Sequence, residues 1–471
     1  MFCGARLGLL DAIHHNSQRF CVQPPQSQSQ PQPSKRETQV TLVRVRNAGV
    51  DAMVFNGLEL DLRHAAVDAP IESLAQDGGG HDPRFILRGS VVRCACAELA
   101  AFAQDHFRRS LRPLRLWDPY FARVSATARD DPSSVCAIEA PLPSSLSVEA
   151  GPTDTNEDDA AAVIEIHERA VVLARRDDHN PFFQVSHVLN AWILQRALAW
   201  DPQTTPTRVV QLDAGYPSAL DELQSRLLAT PGLETLRGAT ALQHKRVRFQ
   251  SDVLFPPFET HGPMMQHLDD NEPCFDSALF KEFRAESLRV MGASEASRQT
   301  ATAASPSASP IVVTVISRRN YEGRAVQRRW LNENEILDRL RQQYANASPP
   351  MVFQSVDFVT LPLAQQMQLM LDSDVVIGMH GAGLVNVLWT RPGTLVVEIF
   401  PRWRRRWGFR NLCQFIGCEW HEFRGGRDTG LGDNASDKTL EYEEWLRFLA
   451  PLLQQVSDTR QRRPPETQEM T

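Results

Sequence analysis

The run Gly378-Met-His-Gly-Ala-Gly383 sets one histidine among three glycines within six residues, a combination suited to holding an anion. Glycine lets a backbone turn sharply and approach a ligand closely. Unpaired backbone N–H groups at such a turn, followed by the start of a helix, point at a phosphate and stabilise its charge. Gly381, Ala382 and Gly383 would supply those N–H groups. His380 inside the loop has two roles open to it. It donates to a leaving phosphate or to a sugar, or it braces the loop through a backbone carbonyl; the first is the role expected here.

The elements that must position this loop can be read on either side of it. Residues 375–377 are a short β-branched apolar run, the pattern of a buried parallel strand. Residues 384–389 resume an apolar pattern compatible with a helix. After the Arg391-Pro392-Gly393 turn, residues 394–400 read as a second strand carrying one charge, Glu398. Gly381-Ala-Gly383-Leu-Val-Asn386 nearly matches the dinucleotide fingerprint, with Asn386 where a third small residue belongs and Glu398 near the ribose-acid spacing. An NAD(P)-dependent enzyme is therefore one reading, and a glycine turn without a ligand is another. An esterase is excluded, because no Gly-x-Ser-x-Gly elbow accompanies the His-Gly-Ala-Gly run.

Gly378 to Trp389, then Pro392-Gly393 and Val396-Val-Glu-Ile-Phe-Pro401, resemble the signature of glycosyltransferase family 61. That family includes xylosyl-, arabinosyl- and N-acetylglucosaminyltransferases of the secretory pathway. The resemblance runs more weakly from about residue 160 to about residue 425. It implies a UDP-sugar donor of the pentose or N-acetylglucosamine class, a glycan or glycoprotein hydroxyl as acceptor, inversion, no cofactor, and a place in the Golgi or endoplasmic reticulum lumen. It covers Ser317-Arg-Arg319 and Arg329-x-x-Asn332-Glu333 as well, which brings Arg318, Arg319, Asn332 and Glu333 into the expected donor site. Asn332 and Glu333 are also suited simply to capping the helix that follows.

The carboxyl ends of parallel strands are where ligands bind in open α/β sheets. Arg318-Arg319, the His380 loop and Glu398 all fall at such ends. The arginines would offset pyrophosphate charge with fork-shaped donors, and Glu398 would accept ribose hydroxyls. The competing readings are a surface pair for the arginines and an arginine partner for Glu398. Asp372-Ser-Asp374 has the look of a metal-binding Asp-x-Asp, but it opens the 375–377 strand at the amino end, away from the ligand end. No metal is expected.

The acceptor side is less legible. Family members commonly show Asn-x-Phe/Tyr-His-x-x-x-Asp, whereas this chain has Asn180-Pro-Phe-Phe-Gln-Val-Ser-His187. Phe183 stands for the histidine and His187 for the aspartate, which puts direct carry-over of a catalytic role in doubt. Inverting transfer needs a base for the acceptor hydroxyl. Asp177, Asp178, His179 and His187 are candidates, with Asp178 preferred because it lies in the strand-to-helix turn just before the Asn180 cap. The loop also reads as a solvated acidic turn. An inactive carbohydrate- or nucleotide-sugar-binding relative is the corresponding alternative function.

Composition sets wider bounds. At 471 residues, with 42% hydrophobic and 23% charged residues, the chain can hold two or three domains. A net charge of −7 argues against nucleic-acid binding. The local cluster Arg402, Arg404, Arg405, Arg406 and Arg410, interleaved with Trp403 and Trp407, reads as a solvated edge unless it borders the donor site. Cys94-Ala-Cys96 and Cys413-x4-Cys418 lack paired metal spacing. Asn346-Ala-Ser348 and Asn434-Ala-Ser436 are glycosylation acceptors that fit a lumenal protein. No stretch has the apolar length of a membrane span, and no leader is visible, a departure from the family's usual anchor.

Alternating strand and helix patterns predict an α/β protein. The expected plan is a disordered segment at 1–38, a mixed α/β extension at 39–140, and a disordered insertion at 141–159. An acceptor-side Rossmann-like domain follows at 160–296, then a Ser/Ala/Thr/Pro linker at 297–310. A donor Rossmann-like domain takes 311–427, a C-terminal helix 440–456, and a disordered tail 457–471. Two such domains facing a cleft make the GT-B architecture that the family resemblance implies.

Overall fold

β-Branched runs alternating with amphipathic stretches build a parallel sheet with both faces covered, and that is the frame around the glycine loop. A computed structural model of the chain describes residues 9–22, 38–45, 48, 50–63, 91–94, 96, 98, 123–124, 136–139, 163–175, 180–213, 218–237, 241–257, 259, 261–266, 276–294, 309–320 and 326–462. The chain divides into two units, Met1–His179 with Phe183–Gln266, and Asn180–Phe182 with His267–Thr471. It is a mixed α/β protein.

The first unit carries β1 (Ser17–Phe20), β2 (Gln39–Val45), β3 (Val50–Asp61), β4 (Val91–Cys94), β5 (Arg123–Val124), β6 (Cys136–Glu139), β7 (Val163–Ile166), β8 (Arg169–Leu173), β9 (Thr207–Gln211), β10 (Leu236–Arg237) and β11 (Arg246–Phe255). Its helices are α1 (Leu9–His15), α2 (Pro181–Ala197, from Phe183 onward), α3 (Leu220–Leu228) and α4 (Pro263–Gln266). The strands form a single 11-stranded sheet whose main path is β10-β9-β8-β11-β3-β4-β6-β5. β8, β9 and β10 are mutually parallel, and β11 is parallel to β8 but antiparallel to β3. Strands from both sides of the 141–159 segment thus share one sheet. α2 starts where the Asn180-Pro181 pair predicts: Asn180 Oδ1 accepts the Phe182 N–H at 3.2 Å. Cys21 and Cys96 form a disulfide across 75 residues.

The second unit comprises α5 (Ala278–Met291), β12 (Ile311–Ile316), α6 (Glu333–Gln343), β13 (Met351–Val356), α7 (Leu363–Asp372), β14 (Val375–Met379), β15 (Leu395–Ile399), α8 (Gly408–Ile416), β16 (Glu419–Phe423), the short pair β17 (Arg427–Asp428) and β18 (Lys438–Thr439), and α9 (Tyr442–Arg462). α5 begins at Ala278, where the Ser277 hydroxyl caps it by accepting from Phe280 N. Five parallel strands run in the order β13-β12-β14-β15-β16. Every residue of β14 and β15 is buried, as their continuous apolar runs require. One face packs Val313, Val315, Ile377, Met379, Val397 and Ile399 against α6 and α9. Trp445 of α9 meets Trp330 and Phe423 edge-on, at 5.6 Å and 4.9 Å between ring centroids. On the other face, Phe280 of α5 packs on Phe415 of α8, and Phe283 of α5 on Trp389.

The segment after the glycine loop, expected as an ordinary helix, is a 3-10 helix over Ala382–Trp389. Leu384 to Trp389 are all buried, so no solvated face sets an α-helical period. The Asn386 amide donates to the Gly383 carbonyl at 3.0 Å, and Leu384 N bonds Gly381 O at 2.9 Å, both tightening the turn.

Candidate functional site

The strand order places a switch point between β12 and β14, where connections leave the sheet in opposite directions; in open α/β sheets ligands bind at the carboxyl ends of strands beside such a point. β12 runs there into Ser317-Arg318-Arg319, and β14 into His380-Gly381-Ala382-Gly383. The sequence placed these groups at strand ends, and the topology brings two of them side by side.

Arg318 lies directly over the loop. A Cβ on Gly381 would come within 2.0 Å of Arg318 Nη1, so the missing side chain at 381 is what admits the guanidinium. Arg318 Nε also donates to the Gln327 carbonyl at 3.1 Å. Gly381 has an extended backbone, so space rather than dihedral freedom demands glycine here. Gly378 serves packing, since a Cβ would press on Leu384 Cδ2 at 2.9 Å. Gly383 differs from both: a Cβ would meet only Ile316 Cγ2, at an ordinary 3.6 Å. Arg319 is exposed, and its Nε donates to Ser317 Oγ at 3.3 Å.

Glu333 and Asn332 have work inside the fold. The Glu333 carboxylate accepts from Ser317 Oγ at 3.1 Å and from the Ser355 hydroxyl, tying the ends of β12 and β13 to the start of α6. Asn332 makes no side-chain cap. Its amide pairs with the backbone of Leu440, donating to the carbonyl at 2.9 Å and accepting the N–H at 3.0 Å. Glu333 thereby steadies Ser317, the residue from which Arg318 and Arg319 project. Asn386, 3% exposed, holds the loop through Gly383 O.

His380 is the most constrained group of the site. Its Nδ1 lies 2.5 Å from Glu398 Oε1, and Glu398 Oε2 accepts the Trp420 indole N–H at 2.9 Å. Glu398 is wholly buried, so its partners are an imidazole and an indole, neither the arginines nor an open ribose position. The imidazole stacks on Phe400 at 4.8 Å and meets the edge of Phe409 at 5.6 Å. Its carbonyl accepts from Arg328 Nε at 2.8 Å. Burial pushes the His380 pKa below the ordinary imidazole value; the Glu398 carboxylate opposes this, while the charges of Arg328 and Arg404 add to it. A neutral ring bonded to a carboxylate through Nδ1 donates there and carries its lone pair on Nε2.

Two further cations lie in this neighbourhood, Arg328, which the sequence did not single out, and Arg404, read there as part of an edge cluster. Arg328 bonds the His380 carbonyl and also Asn434, through both the carbonyl and the amide oxygen. Burial, then the charge of Arg404, holds its pKa below the usual guanidinium value. Arg404 belongs to the 402–410 cluster. Its charge reaches Arg328 and His380, so the cluster borders the site and is more than a solvated edge. Arg424 stacks over Phe400 at 4.5 Å and bonds the Arg404 carbonyl at 2.6 Å, fixing that loop. The one available signal was a second Arg-Arg pair, Arg328-Arg329, close after Arg318-Arg319.

Asp374 sits at the opposite, amino end of the sheet. Its oxygens accept from Val312 N at 2.9 Å and Arg391 Nη2 at 3.0 Å, with Arg460 at 3.4 Å. Asp372 accepts from Gln368 at 3.2 Å. These aspartates tie strands and helices together at the end remote from the glycine loop.

In the first unit, Asp178 lies outside the described residues, as do Asp177 and His179. His187 is fully buried in α2, and burial pushes its pKa down to about 4, against the upward pull of Asp213 and with the added push of Arg175. Arg175 and Asp213 form a fully buried pair at 2.8 Å. His187 is therefore a neutral interior histidine near neutral pH, where the family pattern has an aspartate.

A glycine-rich, arginine-flanked loop at the switch point of a parallel sheet is the kind of place at which α/β proteins in general hold phosphates and nucleotides. Residues 216–397 match the family model Glycosyltransferase 61. The chain is also similar to a beta-1,2-xylosyltransferase of Arabidopsis thaliana, with 26% identity over 161 residues. That alignment covers 32% of this chain and 29% of the relative's length. The chain carries a glycosyltransferase family 61 region, as its glycine loop implied, and both comparisons are with glycosyltransferases.

Proposed function

We propose that the protein is an inverting glycosyltransferase that moves a sugar of the pentose or N-acetylglucosamine class from a UDP-sugar to a hydroxyl of a glycan or glycoprotein. The observation that carries this reading is Arg318 packed on Gly381 at the switch point of the β13-β12-β14-β15-β16 sheet. A diphosphate seated there would meet the N–H groups of the loop and the charges of Arg318, Arg319, Arg328 and Arg404. Such cations, Arg328 largely buried among them, stabilise the charge that develops on a leaving diphosphate, the work a divalent ion does in other transferases. Metal-independent transfer is part of the proposal. The xylosyltransferase relative supports the pentose class.

The two units would act as the Rossmann-like halves of a GT-B enzyme, the second binding the donor and the first the acceptor. Three parallel strands β8–β10 accompanied by α2 and α3 support that role for the first unit. A Golgi or endoplasmic reticulum lumen is the proposed location, which the Cys21–Cys96 and Cys413–Cys418 disulfides and the Asn346 and Asn434 acceptor triplets support. No helix among the described residues is long and apolar enough to cross a membrane.

Calorimetric titration with UDP and with NADH, followed by radiolabelled sugar transfer from UDP-sugars to a glycan panel, tests the reading. NADH binding in place of UDP would replace it with a dehydrogenase. A protein that binds UDP-sugar yet transfers nothing is the second reading, favoured by the buried neutral His187 where the family pattern has a carboxylate.

A further inference from the structure

Glu398 is a costly residue to bury. It stands in the middle of a parallel sheet, in a strand with no exposed residue, and it shows no exposed surface of its own. An ionised carboxylate in such a place needs strong donors on its oxygens. It has two, the His380 imidazole at 2.5 Å and the Trp420 indole at 2.9 Å. The indole holds the carboxylate in plane, and the carboxylate in turn holds the imidazole between Phe400 and Phe409. His380 N donates to Ile399 O at 2.8 Å and its carbonyl accepts from Arg328, so backbone and ring are pinned separately. A residue needed only to brace the loop would require the backbone bonds and not the buried acid.

We propose that Glu398 is a positioning residue of the donor site: through His380 Nδ1 it fixes the ring so that Nε2 meets the bound diphosphate, and it keeps a negative charge behind the ring that makes a proton on Nε2 tolerable. This rests on the donor-site reading above and adds a proton to it. The charged groups around the ring are Glu398 behind it, Arg328 at its carbonyl, and Arg404, held by Arg424, beyond. In the free protein burial, helped by the two arginines, outweighs Glu398, and the ring is neutral near neutral pH. A diphosphate brings at least two negative charges and occupies the arginines. The balance then reverses: Nε2 takes one proton from solvent, and the ring becomes an imidazolium between carboxylate and phosphate, donating to both. No covalent bond forms or breaks in this step. By linkage, what diphosphate does for the proton the proton does for diphosphate, so affinity rises as pH falls through the range between the free and bound ring pKa values.

The experiment is calorimetric titration of the whole protein with UDP at one pH near neutrality in two buffers of different ionisation enthalpy. The difference between the apparent enthalpies gives the protons exchanged. His380→Gln serves as the reference that removes any contribution from the nucleotide's own terminal phosphate, which titrates nearby. The wild type should take up about one proton more than His380→Gln. Glu398→Gln, which keeps the shape and loses the charge, should lose most of that difference. Trp420→Phe keeps the carboxylate and should retain it, with weaker UDP binding; it serves also as the folded comparison should Glu398→Gln be unstable. Equal proton exchange in wild type and His380→Gln, with UDP bound by both, would overturn the proposal and leave the donor site standing. Uptake that survives intact in a folded Glu398→Gln would do the same. Absence of UDP binding by the wild type would remove the donor-site reading itself.

Discussion

The Arg318 guanidinium occupies the space that a side chain on Gly381 would fill, with Nη1 only 2.0 Å from the position of a Cβ. Neither residue can change alone. Gly381→Ala should push Arg318 off the loop and weaken UDP binding about as much as Arg318→Ala does, by about 1.5–3 kcal/mol, roughly ten- to a hundredfold. The double variant should lose little more than either single one. Losses that simply add, measured by calorimetry, would mean that the arginine and the loop act separately.

Gly383 has room for a methyl group, since a Cβ there meets only Ile316 Cγ2 at 3.6 Å. Gly383→Ala should fold normally. Gly383→Val should also remain folded but project its branches over the loop and abolish UDP binding. Wild-type UDP affinity in folded Gly383→Val would take the phosphate away from this loop.

His187 makes stability depend on pH. Its folded pKa is about 4, below the ordinary value near 6.5 of an unfolded chain. Between those values the unfolded chain binds the proton and the folded one does not, so acid favours unfolding. Stability is complete above about pH 6.5 and declines as pH falls toward 4, by up to about 3 kcal/mol. Urea unfolding at pH 7.5 and pH 5 should show the loss in wild type and a smaller one in His187→Gln. The same slope in both would assign the acid sensitivity to other groups.

Sugar transfer should survive excess EDTA, because Asp374 spends its oxygens on Val312 N and Arg391 at the far end of the sheet and arginines surround the loop instead. Activity lost to chelator and regained with manganese would reverse both the mechanism and the role given to that aspartate.

Much of the second unit was legible because its physics is local. The apolar run 375–377 lies in β14, and the run 394–400 contains β15, both buried throughout as such runs require. The glycine loop stood out by residue types alone, and its place at the carboxyl end of β14 follows from the apolar run before it. What stayed hidden depends on the third dimension. Nothing in the spacing of His380 and Glu398 says that parallel strands β14 and β15 put Gly378 opposite Glu398, and so bring the acid to the next ring along. Arg328 is drawn to the His380 carbonyl across 52 residues and has a left-handed backbone, two facts no periodicity encodes. The pairing of β3 with β11, some two hundred residues apart in the chain, is hidden for the same reason.

The last helix has a consequence for how the protein is made. Trp445, Leu449 and Leu453 of α9 complete the core over β12, β14 and β15, and Arg460 near its end bonds the Pro310 carbonyl at 2.7 Å, just ahead of the first strand of that sheet. A growing chain therefore leaves the part of this face that α6 does not cover exposed until α9 has left the ribosome, after all five strands. A premature stop before Trp445 would leave that apolar surface uncovered for good, whatever the state of the glycine loop.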